Sequence, residues 1–355
     1  MSKTGNIDRK NSHLQICLDE QVEFGSGGAN GLAAYRFDHD ALPEVSKAEI
    51  NLEVTLFGKK LAAPILVGAM TGGTERAGEI NRRLALAAEK CRIGFALGSQ
   101  RKMLEKPELR SSYAVREHAP SLPLLVGNIG AVQLNYGVGL PELKRLVSEV
   151  GCDAFNFHLN PLQEAIQPEG DTNFSGLLAK LSTVIPSLGV PVLVKEVGSG
   201  ISETTALKLR GLGLAGIETS GIGGTSWSKI ESLRTSNSIQ RTTGELFARW
   251  GVPTAESVII CRKHFPDLVV IASGGMRNGI EAAKAIALGA DAAAFALPML
   301  KAAEVSVEAA VEAISQVIEE LRTALFVTGC RNVADLRQKQ IRRLPDFTAM
   351  GAPSS

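Results

Sequence analysis

The densest group of chemistry-bearing residues in this chain is His158-Leu159-Asn160-Pro161-Leu162-Gln163-Glu164, where an apolar run gives way to polar side chains. A carboxylate such as Glu164 beside phosphate oxygens recruits Mg2+, which binds through one or two carboxylates plus substrate oxygens and water. The plainer alternative is a satisfied buried histidine followed by the first turn of a helix, where Glu is welcome.

Two glycine-rich stretches add an anion site. Ser273-Gly274-Gly275-Met276-Arg277-Asn278-Gly279 leads into a helical pattern, and Ala296-Leu297-Pro298 opens the next one. Glycines let backbone N–H groups approach an anion at a helix N-terminus, and Pro298 suits a first helical turn. Gly-Gly alone more often marks a plain turn. Gly221-Ile222-Gly223-Gly224-Thr225 could complete the cradle with the Thr225 hydroxyl. Arg9-Lys10-Asn11-Ser12-His13 and Ser99-Gln100-Arg101-Lys102 are basic clusters that could clamp a second phosphate group, Arg making the bidentate contact. Composition alone makes the first of them a solvated tail.

Lys195, near the end of VLVKEVG, is a cation where apolar packing has no use for one. It could form a Schiff base or a structural ion pair. In a flavin site it would face the N1–C2=O edge and favour the anionic reduced ring. Glu196 alternates to the other face of the strand and reads as structural.

Apart from Arg9–His13, which lies far from the rest in sequence, these residues share a position: each lies at or just beyond the end of a short apolar run. The runs are 63–70, 93–100, 122–130, 154–160, 191–198, 215–221, 268–275 and 292–299. They are continuous rather than alternating, as parallel strands buried on both faces must be. Amphipathic stretches such as EINRRLALAAEKC and GIEAAKAIALG separate them. Strand then helix, eight times, predicts a single α/β (β/α)8 TIM barrel over 63–345, and polar residues at strand C-termini are where such barrels keep their sites. A doubly wound open sheet is the runner-up, but no composition break divides the eight units. Residues 1–62 form an N-terminal extension with a hairpin expected around EINLEVTLFGKKL, and 222–242 form a long polar loop after strand six. Both are expected over the barrel mouth, with 346–355 a flexible tail.

Composition narrows the partners. A net charge of +1 gives no long-range field, so neither nucleic acid nor an anionic membrane is implied. The five cysteines are scattered without a CxxC pair, which suits a reducing compartment and argues against a disulfide framework or a zinc site. No apolar run approaches the ~18 residues of a membrane span, and the start has no secretory h-region, so a cytoplasmic protein is expected.

With RKNSH (9–13), AMTGG (69–73), GSQR (98–101), GNIGA (127–131), HLNPLQE (158–164), VKEVGSGIS (194–202), SGIGGTSW (220–227), SGGMRNG (273–279) and FALPML (295–300) assembled, the chain closely resembles the type 2 isopentenyl diphosphate isomerases nearly end to end. HLNPLQE and the RKxxH opening are specific to that family, whereas GG-type phosphate loops are shared by many FMN barrels. The resemblance implies FMN bound by Ala69, Met70, Thr71, Ser99, Asn128, Lys195, Ser220, Thr225, Gly275, Met276, Arg277, Ala296 and Leu297. It implies a substrate diphosphate held by Arg9, Lys10, His13, Ser99, Gln100 and Arg101, with Mg2+ on Glu164 and with His158, Asn160 and Gln163 beside the isoprene carbons. It further implies NADPH to keep the flavin reduced, no net redox change, and a homo-oligomer, tetramer or octamer. Departures from the family pattern lie in 20–36, which is Gly- and Ala-rich.

A 1,3-proton shift across an unactivated alkene needs a proton donor, an acceptor and shelter for a tertiary carbocation. Gln163 cannot titrate near neutral pH, and Glu164 is committed to metal in this reading. The reduced flavin is therefore the expected acid/base group, at its N5 edge. Two rivals remain. An FMN-dependent 2-hydroxy-acid oxidase needs a His base with Arg partners, yet after strand seven there is Arg277 but no His. A non-catalytic flavin barrel would not need HLNPLQE and RKNSH intact.

Overall fold

In the computed structural model, which describes residues 5–19, 22–23 and 29–344, eight parallel strands close into a barrel. They are β1 (Ile65–Val67), β2 (Gly94–Ala96), β3 (Leu124–Gly130), β4 (Ala154–Leu159), β5 (Val192–Glu196), β6 (Gly216–Glu218), β7 (Val269–Ala272) and β8 (Ala292–Phe295). Each falls inside one of the eight apolar runs. β8 returns to β1 through Ala293↔Ile65, Ala294↔Leu66 and Phe295↔Val67, so the barrel itself has no open edge. Buried on both faces, the strands read as unbroken apolar runs.

The surrounding helices form where caps and periodicity agree. In Glu75–Lys90, Thr74 accepts from the Ala77 N–H at 3.2 Å, and Ile80, Leu84, Ala87 and Ala88 face the barrel. The hairpin predicted near 54–61 exists, pairing Val54–Leu56 with Lys59–Leu61 through a turn in which Phe57 and Gly58 take φ of 51° and 76°. It does not lie over the mouth. Leu56 and Leu61 pack on Leu66, Leu124, Leu193 and Ile271, and Lys59 Nζ meets Asp153, the residue before β4, at 2.8 Å. The hairpin therefore plugs the N-terminal end of the barrel, because that end exposes an apolar floor.

The other part of the extension goes to the opposite end. Helix Gly5–Asp19 presents His13, Leu14 and Cys17 to the mouth, and Glu23 bridges to Thr225. The segment 222–242 is not an open loop: it holds most of a two-helix insertion, Trp227–Arg234 and Ser238–Leu246. Ser226 caps the first by accepting from the Lys229 N–H, and Asn237 caps the second through Ile239 and Gln240. Tyr35–Phe37 pairs with Ile341–Arg343. The segment 346–355, expected as a tail, lies outside the described residues.

Candidate functional site at the barrel mouth

The strand C-termini open into a cavity of about 1630 Å³, solvent-facing space included. Its floor is set by register. The pairs His158↔Lys195 and Lys195↔Glu218 put three inward side chains at one level on β4, β5 and β6. Lys195 Nζ donates to the Glu196 carbonyl and to Ser220 Oγ at 3.3 Å, and lies 3.8 Å from Glu218 Oε1. Glu218 also accepts from Ser273 Oγ at 2.9 Å and from Asn156 Nδ2 at 3.2 Å. A buried carboxylate and a buried ammonium stabilise one another only with such additional hydrogen bonds. Ser220 has φ of 42°, an unusual value outside glycine, and Ser273 Oγ holds it by accepting its N–H at 3.0 Å. Glu196 faces outward as expected, one oxygen accepting from the Val197, Gly198 and Ser199 N–H groups.

The glycine loops pack backbone on backbone. A Cβ on Gly274 (φ 102°) would lie 2.1 Å from the Gly221 oxygen, and one on Gly275 (φ 75°) 2.3 Å from Gly223. Only glycine permits that approach. Asn30 braces the loop from behind, donating to the Gly275 carbonyl and to Glu281 at 2.9 Å each, and Glu281 accepts the Arg277 N–H at 2.7 Å. With Ala69, Met70, Thr71, Ser99, Asn128, Thr225, Met276, Ala296 and Leu297 lining the same cavity, these loops form a cradle of the kind an FMN phosphate and ring require.

The groups read as substrate-binding open onto the same cavity. Lys10, His13, Ser99, Arg101, His158, Asn160, Gln163 and Glu164 all line it. Asn160 Nδ2 donates to Glu164 Oε1 at 2.8 Å and to Gln163 Oε1 at 3.2 Å, while Asn160 Oδ1 is buried with no partner. That orphaned oxygen and the adjacent carboxylate are hard donors, so the pair fits a Mg2+ completed by ligand oxygens and water. No group of three His, Cys, Asp or Glu suited to a metal occurs among the described residues. Arg9 belongs to the helix, but its side chain lies outside the described residues.

Gln100 is the exception. It is 0% exposed and turned away from the cavity, its Nε2 donating to the Leu146 carbonyl at 3.1 Å and its Oε1 accepting the Asn128 N–H at 2.8 Å. Room for it exists because residue 127 is glycine. Gln100 thus holds Asn128 instead of facing an anion. Asn128 in turn donates Nδ2 to the Leu97 carbonyl and offers Oδ1 to His158 Nδ1 at 3.0 Å. The network assigns the His158 proton to Nδ1 and leaves Nε2 a lone-pair acceptor.

Several partners escaped the sequence reading. Glu218 interrupts the run AGIETSG and could have been found as a carboxylate in a strand. Glu231 gave no such signal, since only the insertion's fold brings its fully buried carboxylate 3.0 Å from His13 Nε2 and 3.3 Å from Gln163 Nε2. Burial works against ionising Glu231, but His13 and Arg234 hold it below the usual carboxylate range. For His13 burial wins over its carboxylate partner and lowers the pKa. For His158, burial together with Lys195 and Lys10 lowers it to about 3.

Both histidines therefore resist the proton that the unfolded chain accepts near pH 6.5, so stability falls as pH drops below that value, by up to about 1.4 kcal/mol per unit for each group. Urea midpoints at pH 7.5 and pH 5 check this, with the drop expected to be shallower in His158→Gln. An equal slope in both proteins would contradict it.

Comparison with known proteins sharpens these observations. Residues 163–343 match the family model described as FMN-dependent dehydrogenase. An isopentenyl-diphosphate delta-isomerase of Nostoc sp. is 49% identical over 330 residues, covering 93% of each chain. One from Rickettsia bellii is 45% identical over 95% of this chain and 98% of its own. Among solved structures, a mandelate oxidase superposes with a TM-score of 0.65 at 18% identity, covering 95% of this chain and 99% of its own. A lactate oxidase of Pediococcus acidilactici superposes with 0.65 at 14% identity, over 90% and 86%. The two oxidases share the fold.

Proposed function

The chain belongs to the isopentenyl-diphosphate delta-isomerases, on an FMN-dependent barrel, and from that premise we propose how its residues interconvert isopentenyl and dimethylallyl diphosphate. The observation carrying the reading is one cavity lined both by the glycine cradle with Lys195 and by Arg101, His13 and the Asn160-Gln163-Glu164 group.

The cradle and Lys195 would hold FMN, the Lys195 cation favouring the anionic reduced ring. When bound and kept reduced by NADPH, FMN would supply the proton donor and acceptor and an electron-rich ring that stabilises cationic character. Arg9, Lys10, His13, Ser99 and Arg101 would bind the diphosphate, and Glu164 with Asn160 would hold a Mg2+ that supplies further positive charge there. Gln163, tied to Asn160 and to the buried Glu231, orients the alkene. His158 is uncharged at neutral pH, so it accepts or orients through Nε2 and does not act as an acid. Residues 1–62 contribute the diphosphate ligands of helix Gly5–Asp19 as part of one enzyme with the barrel at 63–345. We place the enzyme in the cytoplasm as a tetramer or octamer. Among the described residues no helix is long and apolar enough to cross a membrane.

The test is an anaerobic incubation with isopentenyl diphosphate, FMN, NADPH and Mg2+. Dimethylallyl diphosphate should form, and withholding either flavin or metal should stop it. Protein that binds FMN yet gives no product would overturn the reading. Oxidation of 2-hydroxy acids would then be assayed, although the loop after β7 reads SGGMRNG and offers no histidine base.

A further inference from the structure

Asp171 carries no role in the account so far, yet it touches both halves of the proposed diphosphate site. Its carboxylate accepts from Arg101 Nη1 and, on the same oxygen, from Gln133 Nε2 at 2.9 Å. Its backbone N–H donates to Glu164 Oε2 at 2.7 Å, opposite the oxygen that Asn160 holds. Gly170 before it makes this possible, because a Cβ there would lie 1.8 Å from the Glu164 carbonyl oxygen. Arg101, Gln133 and Glu164 all line the cavity. Arg101 has a second acidic partner in Glu105 at 2.7 Å, so its guanidinium is fixed from two directions.

We infer that Asp171 is a positioning residue that couples the cation clamp to the metal carboxylate: its side chain aims Arg101, and its backbone aims Glu164. Ordering both groups before substrate arrives removes part of the entropy of assembling the diphosphate–Mg2+ complex. The inference rests on the proposed isomerase reading and assigns a role to a residue that touches neither substrate nor metal.

The test compares FMN-loaded wild type, Asp171→Ala, Asp171→Asn, Arg101→Ala and the Arg101→Ala/Asp171→Ala double variant. Removing this side chain takes a charge-assisted hydrogen bond from Arg101 and unties residue 171 from Gln133, so the backbone N–H that holds Glu164 is loosened as well. Asp171→Ala should therefore raise the KM for isopentenyl diphosphate about tenfold and raise the Mg2+ half-saturation, with kcat changed less than about threefold. Asp171→Asn keeps an acceptor for Gln133 and Arg101 and should recover most of both. If Asp171 acts on the diphosphate through Arg101, adding Asp171→Ala to Arg101→Ala should leave KM where Arg101→Ala put it, while the Mg2+ half-saturation still rises. FMN affinity should be unchanged throughout, which a general loss of structure would not allow.

Additive effects on KM, a KM that falls because Asp171 merely competes with substrate, or wild-type values in Asp171→Ala would each overturn the inference. If Asp171→Ala does not fold, Asp171→Ser, which is too short to reach Arg101, replaces it, with wild-type KM and Mg2+ dependence counting against the inference. A wild type without isomerase activity would instead overturn the underlying functional reading.

Discussion

Glu164→Gln is expected to lower turnover about 10²–10³-fold and to abolish the response to added Mg2+, while FMN binding is retained. The size follows from losing preorganised charge stabilisation in a site sheltered from water. The geometry says why the near-isosteric amide is not tolerated. Glu164 takes a donor on each oxygen, Asn160 Nδ2 at 2.8 Å and the Asp171 N–H at 2.7 Å. Gln offers one oxygen, so its NH2 must face one of those donors. The substitution thus removes a hard anionic ligand and disorders its setting together. Kinetics across an Mg2+ titration check this, and a variant with wild-type turnover and the wild-type metal requirement would remove Glu164 from the metal role.

Lys195→Met is expected to cost about 10²-fold in turnover and to make FMN harder to reduce. Lys195 is 4% exposed and meets the Glu196 carbonyl, Ser220 and Glu218. Without its charge the anionic reduced ring loses its nearest proposed cation. Each tenfold loss of preference for the reduced form moves a two-electron potential down by roughly 30 mV. The single change also strands Glu218, and breaking a buried pair costs about 3–5 kcal/mol. The Lys195→Met/Glu218→Gln variant separates the two effects: it should regain stability but not potential or turnover. Recovery of both with stability would make Lys195 a folding residue only.

Much of this was legible in the residues. Parallel barrel strands must be apolar on both faces, so their ends are sharp, and every polar group beyond an end is a candidate for the mouth. That logic found Lys195, Glu164 and the glycine cradle. It failed where the third dimension decides direction. Gln100 follows Ser99 at the end of β2, yet packs inward under Asn128 because Gly127 leaves space. The 54–61 hairpin was legible, but the barrel end it closes is decided by Leu56 and Leu61 meeting the apolar floor. The 222–242 segment looked like a loop because its helices are short and polar. Ser226 and Asn237 were the cap signals that could have corrected it. Glu231 and Asp171 owe their places to packing between elements, which spacing along the chain does not encode.

The central claim is that reduced flavin, and not a titrating side chain, moves the proton. It is tested most directly by loading the apoprotein with a reduced FMN analogue that carries carbon in place of N5, and measuring dimethylallyl diphosphate formation against reduced FMN. Tight binding of the analogue is expected, since the cradle and Lys195 would contact other parts of the molecule, together with no isomerisation. Full turnover with the analogue would contradict it and return the acid/base role to the protein.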